Sequence, residues 1–290
     1  MVDILGYPNI KVAISAIKKI RADFTQCNVT NSNDKLDSNM YFHYMEEIDD
    51  ARGLIERAGF PSDHIWDAIA LLTMADIKNN YALGFFSPNL QNRYWNQAAS
   101  IYKQILSRFE KHLGYDNYWA GKTLINWGTI MRKGSCRPTV NRSQKRLKRG
   151  IAILRRSFKR ENHKEILMGQ LSLSKAQYYS RKIRKAEKRC LQSENLLKDT
   201  FGLAHPLLKH VYVILRQIYF LTNWANSYEK YFEYTDKCES WESFHLDKLV
   251  QDHDDYGKHW EFRRPILLSL SNAIDYEQYM KDQIIKINTN

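Results

Sequence analysis

The chain has 290 residues, of which 43 % are hydrophobic and 13 % aromatic, and a formal net charge of +12. That apolar content suits a core for one large or two small domains and excludes disorder by composition. With only 12 glycines and 6 prolines, turns are too few for an all-β fold and strand–helix junctions too few for an α/β fold, so an all-α fold is expected.

No apolar stretch approaches the roughly 20 residues that a bilayer crossing needs, so no membrane span is expected. The opening Met1–Pro8 has no basic segment followed by an apolar one, and a cytoplasmic location, with the nucleus as alternative, is the expectation. Cys27, Cys136, Cys190 and Cys238 lie far apart with no Cys/His ligand spacing. They read as free thiols, with no metal and no cofactor expected.

In chain order, residues 1–44 read as a helical N-terminal extension that ends in a mobile linker over Cys27–Ser38. Met45–Ala58 reads as a helix, Gly59–Asp63 as a turn with Asp63 as cap, and Ile65–Asn79 as a second helix. Three further segments repeat this plan. They start near Tyr94, Ser143 and Ile183 and turn at Leu113-Gly114, Phe158-Lys159 and Phe201-Gly202. In each, a small residue (Ala98, Ser143, Ala186) precedes an apolar one (Leu113, Phe158, Phe201) by 15 positions. Another apolar residue (Phe109, Leu154, Leu197) stands four positions before the latter, and the copies are 45 and 43 residues apart.

That spacing lets small residues bring helices close while the apolar ones fill the seam. Second helices are expected at Trp119–Met131, Lys164–Tyr179 and Leu207–Leu221. Trp66, Trp95, Trp127 and Trp224 are expected to wedge between helices. Tyr228–Cys238 starts a further unit. Gly134–Arg142 and Ser240–Trp260 read as linkers, and Ile266–Ile285 as a terminal capping helix. The domain plan is therefore 1–44 extension, 45–240 repeats, and 241–290 linker and cap.

A helix-turn-helix unit of about 42 to 45 residues resembles the tetratricopeptide repeat in its longer, kinesin light chain form. Phe201-Gly202-Leu203-Ala204-His205-Pro206 is similar to that family's "leucine-glycine…histidine-proline" turn, and Thr123-Leu124-Ile125-Asn126-Trp127-Gly128 to its helix pattern. Over Lys185–Trp241 the chain also resembles the last repeats of the amyloid protein-binding adaptors related to kinesin light chains. The resemblance implies a right-handed α-solenoid and a non-enzymatic scaffold or adaptor that binds peptide or acidic protein segments in its groove. It further implies cargo adaptation or delivery of substrates to a ubiquitin ligase.

Within that frame Trp119, Lys122, Asn126, Thr129 and Lys133 share one helix face, at steps of three and four residues. The resemblance implies that Asn126 grips a peptide backbone; the alternative is an asparagine satisfied within its own repeat. Between Arg132 and Arg189 stand 20 Lys/Arg against three acids, whereas Asn226–Glu261 holds ten acids and four lysines. Lys145, Arg146, Lys148, Arg149, Arg155 and Arg156 form the heart of the basic run. They fit an acidic protein partner, RNA or DNA phosphate, or a merely solvated helix face. His253-Asp254-Asp255 and His163-Lys164-Glu165 lack metal-ligand spacing, and no nucleophile elbow or phosphate loop is present. No catalytic residue is therefore expected.

Overall fold

The computed structural model describes residues 6–30, 38–82, 87–131, 137–160, 162–203, 205, 207–222 and 229–240. These form helices α1 (Gly6–Thr30), α2 (Ser38–Arg57), α3 (Ile65–Tyr81), α4 (Pro88–Leu113), α5 (Tyr118–Met131), α6 (Arg137–Phe158), α7 (Lys164–Tyr179), α8 (Ile183–Phe201) and α9 (Leu207–Leu221), and a last helix, α10, at residues 229–240. No strand occurs among the described residues. The fold is an all-α solenoid.

From α1 to α9 each helix packs on the next, and each odd-numbered helix also touches the following odd-numbered one. No two of α2, α4, α6 and α8 touch. Crowding on one side and splaying on the other bends a stack of helix pairs, so the odd helices line the concave face. The buried side chains fall into three clusters along the stack, as expected where each unit contacts only its neighbours. The small residues of the repeat pattern sit in the seams. Ala98, Ser143 and Ala186 are fully buried, as are Phe109, Leu154 and Leu197.

The closest approach is among α5, α6 and α7. A Cβ on Gly150 would stand 2.8 Å from the Gly121 carbonyl oxygen, one on Gly128 2.7 Å from Leu147 Cγ, and one on Gly169 2.8 Å from Ile125 Cδ1. Ser143 Oγ donates to the Gly128 carbonyl at 2.6 Å and ties the same seam.

The even helices share one terminus. α2, α4 and α8 are followed by glycine in the left-handed region, at Gly59 (φ 78°), Gly114 (φ 79°) and Gly202 (φ 78°). After α6 the position is Lys159, which takes φ 53° regardless. The helix that follows is capped by histidine in three units. Nδ1 of His64, His163 and His205 accepts from the backbone N–H of Trp66, Glu165 and Leu207, each at 3.3 Å. An aromatic ring lies against each imidazole, with centroid distances of 4.5 Å for Phe60–His64, 3.5 Å for Phe158–His163 and 4.6 Å for Phe201–His205. In the remaining unit Asn117 takes the part of the histidine and accepts from Ala120 N–H at 2.8 Å.

Several expectations are corrected here. Asp63 is not the cap of α3; its carboxylate accepts from Lys111 at 2.6 Å and leaves the cap to His64. Leu113 and Phe201 do not fill the seam: both are exposed at the turn, and Phe201 lies on His205. The expected linkers are shorter. Cys27–Thr30 continue α1, Ser38 opens α2, and Arg137–Arg142 form the first turns of α6, where Pro138 is tolerated because first-turn N–H groups need no helical partner. α1 buries Ala13, Ile17 and Ile20 in one cluster with α2 and α3. The linker beyond Ser240, the capping helix Ile266–Ile285 and Trp224 lie outside the described residues.

Candidate functional site

The concave face is built from helix positions three and four residues apart, and polar contacts cross it from helix to helix. At its N-terminal end Arg21 of α1 donates to Thr73 of α3 at 2.9 Å. Between α3 and α5, Asn126 Nδ2 donates to Asp76 Oδ1 at 2.7 Å, and the Tyr102 hydroxyl of α4 donates to the same oxygen at 2.5 Å. Between α5 and α7, Lys122 pairs with Glu165 at 2.5 Å and Thr129 donates to Ser172 at 3.0 Å.

The charges in this row are set by burial and by their partners. Burial raises the Asp76 pKa above the ordinary carboxylate range, and Arg21, Lys122 and the two hydrogen bonds only partly oppose it. For Lys122 burial works against the charge, but Glu165, Tyr118 and Asp76 outweigh it and hold the ammonium above its ordinary pKa. The Tyr118 hydroxyl is raised, chiefly by burial.

Of the residues expected to bind peptide, Trp119, Lys122 and Asn126 do come together on this face. Each is engaged by its neighbours. Trp119 stacks on Phe109 with centroids 5.9 Å apart and lies under the Arg21 guanidinium at 5.2 Å. Lys122 is committed to Glu165, and the Asn126 amide is held by Asp76, a residue of the preceding unit. Lys133 lies outside the described residues. The more open part of the face is on α7, where Met168 is 42 % exposed between Glu165 and Ser172. Together α5, α7 and α9 carry Lys122, Lys164, Lys175, Lys209 and Arg216 against a single carboxylate, Glu165.

On the convex side α6 carries eight Lys/Arg and no acid. Its cations are not equivalent. Arg149 pairs with Glu110 of α4 at 2.5 Å and Arg156 with Asp116 of the turn after α4 at 2.5 Å. Arg146 lies 3.9 Å over the Trp127 ring, and burial followed by the charge of Arg142 lowers its pKa. Lys145, Lys148 and Arg155 are exposed. Sequence reasoning did not single out Arg189 of α8, which is half-buried and reaches the Gln177 side chain at 3.4 Å. Its signal would have been the seam register, which places position 189 one step from Ala186 and Cys190.

Among the described residues no group of three or more His, Cys, Asp and Glu is placed to hold a metal ion, and no helix is long and apolar enough to cross a membrane. Cys190 is buried, and burial pushes its thiol up to about 12, so it stays protonated and unreactive at neutral pH. What this arrangement offers is surface: a concave polar face with excess positive charge, and a convex basic ridge.

No family model and no curated protein matches the chain. The fold is similar to solved structures of kinesin light chain-like TPR repeat proteins. One holds the nearly identical TPR-like repeats of a Podosopora anserina protein assigned as a kinesin light chain. It is 14 % identical, with a TM-score of 0.49, over 73 % of this chain and 94 % of that one. A second is BtubC (BKLC) from P. vanneervenii, 13 % identical with a TM-score of 0.47, over 89 % of this chain and 94 % of that one.

Proposed function

We propose that this chain is a non-enzymatic protein-interaction scaffold that holds a peptide or acidic protein segment on its concave face and brings it to another complex. The observation that carries this reading is the face itself. Five odd helices form one continuous surface, and its C-terminal three helices carry five cations against one carboxylate. A negatively charged extended segment matches such a surface in shape and in sign. Trp119, Lys122 and Asn126 border its centre, and the Lys122–Glu165 ion pair and the Asn126–Asp76 hydrogen bond set the floor on which a peptide would lie; Lys133, outside the described residues, is proposed with them from its place in the sequence alone. Lys145, Arg146, Lys148, Arg149, Arg155 and Arg156 supply a second surface for an acidic partner. Adaptation of cargo, or delivery of a substrate to a ligase, is the kind of task this build serves.

The alternative is RNA or DNA binding through the basic segment 132–189, favoured by the eight cations and absent acids of α6. A pull-down from lysate at two salt concentrations, with and without nuclease, separates the two. Partners that survive nuclease and are lost in Ser172→Glu/Lys175→Glu, a variant that leaves the Lys122–Glu165 pair intact, support the scaffold. Signal that disappears with nuclease, and is lost instead in Lys145→Glu/Lys148→Glu, sinks it in favour of nucleic acid.

A further inference from the structure

The basic ridge of α6 has two sides. Toward α4 and the turn after it, Arg149 and Arg156 are neutralised by Glu110 and Asp116. Lys148 and Arg155, seven residues apart, share the other side, toward α8, and both are exposed. α6 and α8 do not touch, while α7 packs on both, so a furrow floored by α7 separates them on the convex side. Arg189 enters the furrow from α8, and its pKa is lowered by burial and by the charge of Arg155, which places the two guanidinium groups within electrostatic reach. Lys185 stands exposed one turn earlier. Two carboxylates of α8 are engaged by tyrosines: Glu187 accepts from Tyr219 at 2.8 Å and Glu194 from Tyr234 at 2.9 Å. On the outer side of α8 lies a shallow depression lined by Arg184, Glu187, Lys188, Leu191, Gln192 and Asn195.

The same molecule carries the complement. α2 holds five acids and two arginines. Its buried face is Tyr41, Tyr44, Ile48, Ala51 and Ile55. The opposite face presents Phe42, Glu46, Asp49, Asp50 and Glu56, of which Asp49 meets Arg52 at 3.4 Å, and the Phe42 ring is 62 % exposed. The exposed carboxylates of that face match the cations bordering the furrow in sign.

We propose that the α6–α8 furrow is a self-association surface, occupied by the acidic outer face of α2 from a second copy of this chain. This rests on the reading that the basic ridge takes an acidic protein partner, and it names that partner. The two faces lie on different units of one chain, so the contact is heterologous and leaves a free face at each end of the assembly. Association is then open-ended, and because the charges are solvent-exposed it weakens as salt shortens the screening length from about 10 Å at 0.1 M to about 3 Å at 1 M.

The test is sedimentation velocity on the whole chain at low and high salt, over a concentration series. The wild type grows in mass with concentration at low salt and is monomeric at high salt. Glu46→Lys/Asp49→Lys/Asp50→Lys and Lys148→Glu/Arg155→Glu/Lys185→Glu each weaken association on the order of a hundredfold. An equimolar mixture of the two variants associates again, since each restores the other's missing sign. All six positions are on exposed helix surface, and an unchanged circular dichroism melt shows that both variants fold.

A wild type that stays monomeric at low salt overturns the proposal. So does loss of association in the Lys148 variant alone, which puts some other acidic segment in the furrow. Titration of the α2 variant with a short polyglutamate peptide, and with a single-stranded oligonucleotide, separates this failure from that of the parent reading. Peptide binding without self-association removes only the second copy, whereas preference for the oligonucleotide, or no binding at all, removes the acidic-partner reading with it.

Discussion

Gly150→Ala tests the claim that α5 and α6 are held together by backbone contact. The added Cβ would stand 2.8 Å from the Gly121 carbonyl oxygen, 2.9 Å from Ile125 Cγ1 and 3.1 Å from Leu124 Cβ. None of these can yield cheaply. The oxygen belongs to the α5 backbone, and Ile125 and Leu124 are 3 % and 2 % exposed. Ordinary carbon contacts lie near 3.5–4.0 Å, so the helices must part by on the order of half an ångström, and such overpacking costs about 1–3 kcal/mol. Alanine recovers about 1 kcal/mol of helix propensity, which leaves a net effect between about zero and a loss of about 2 kcal/mol. Gly53→Ala is the control. It sits on the outer face of α2, where a Cβ meets only the flexible Arg57 side chain at 3.4 Å, so propensity alone acts and stability rises by about 0.5–1 kcal/mol. Thermal and urea melts by far-UV circular dichroism read both, with a shift of roughly 2–4 °C per kcal/mol for a chain of this size. If Gly150→Ala stabilises as much as Gly53→Ala, the close-approach argument is wrong.

Three further variants probe the turns and the core. Lys159→Gly relieves a left-handed lysine (φ 53°) at the end of α6 and raises the melting temperature, by about 1 kcal/mol of stability; an unchanged or lower value would refute the strain. His64, His163 and His205 accept through Nδ1, and their pKa values are lowered from 6.5, in each case first by burial and then by a neighbouring cation (His112, Arg160 and Lys164). The folded chain therefore binds fewer protons than the unfolded one, so this stabilisation is complete above the unfolded value of 6.5 and is lost as pH falls below it. Each histidine adds at most about 1.4 kcal/mol per pH unit to the slope, and His205→Asn, which keeps an accepting cap that does not titrate, flattens a urea-melt series between roughly pH 7 and 5. Thr123 is fully buried and its hydroxyl has no hydrogen-bond partner, so Thr123→Val raises stability by on the order of 1 kcal/mol, and a loss in the same melt would reveal a partner for that oxygen.

The parts of this fold legible in the sequence are those with local causes. Helix boundaries at Lys164–Tyr179 and Leu207–Leu221 follow from apolar periodicity, and the buried trio Ala98, Ser143 and Ala186 from the repeat register. The candidate face was legible only as a face. Spacing places Trp119, Lys122 and Asn126 together, but nothing local says that Asp76, 50 residues away, takes the Asn126 amide, or that Glu165, 43 residues on, takes Lys122. Such pairings depend on how one unit sits on the next, which a single-unit pattern does not encode. The same holds for the basic run. A charge count treats Lys148 and Arg149 alike, yet their side chains diverge by about 100° around the helix. Arg149 reaches the Glu110 of α4, whereas Lys148 stands exposed on another side of the helix. Stacking order, not charge density, therefore decides which cations of α6 are available to a partner, and variants chosen by density alone would mix the two groups.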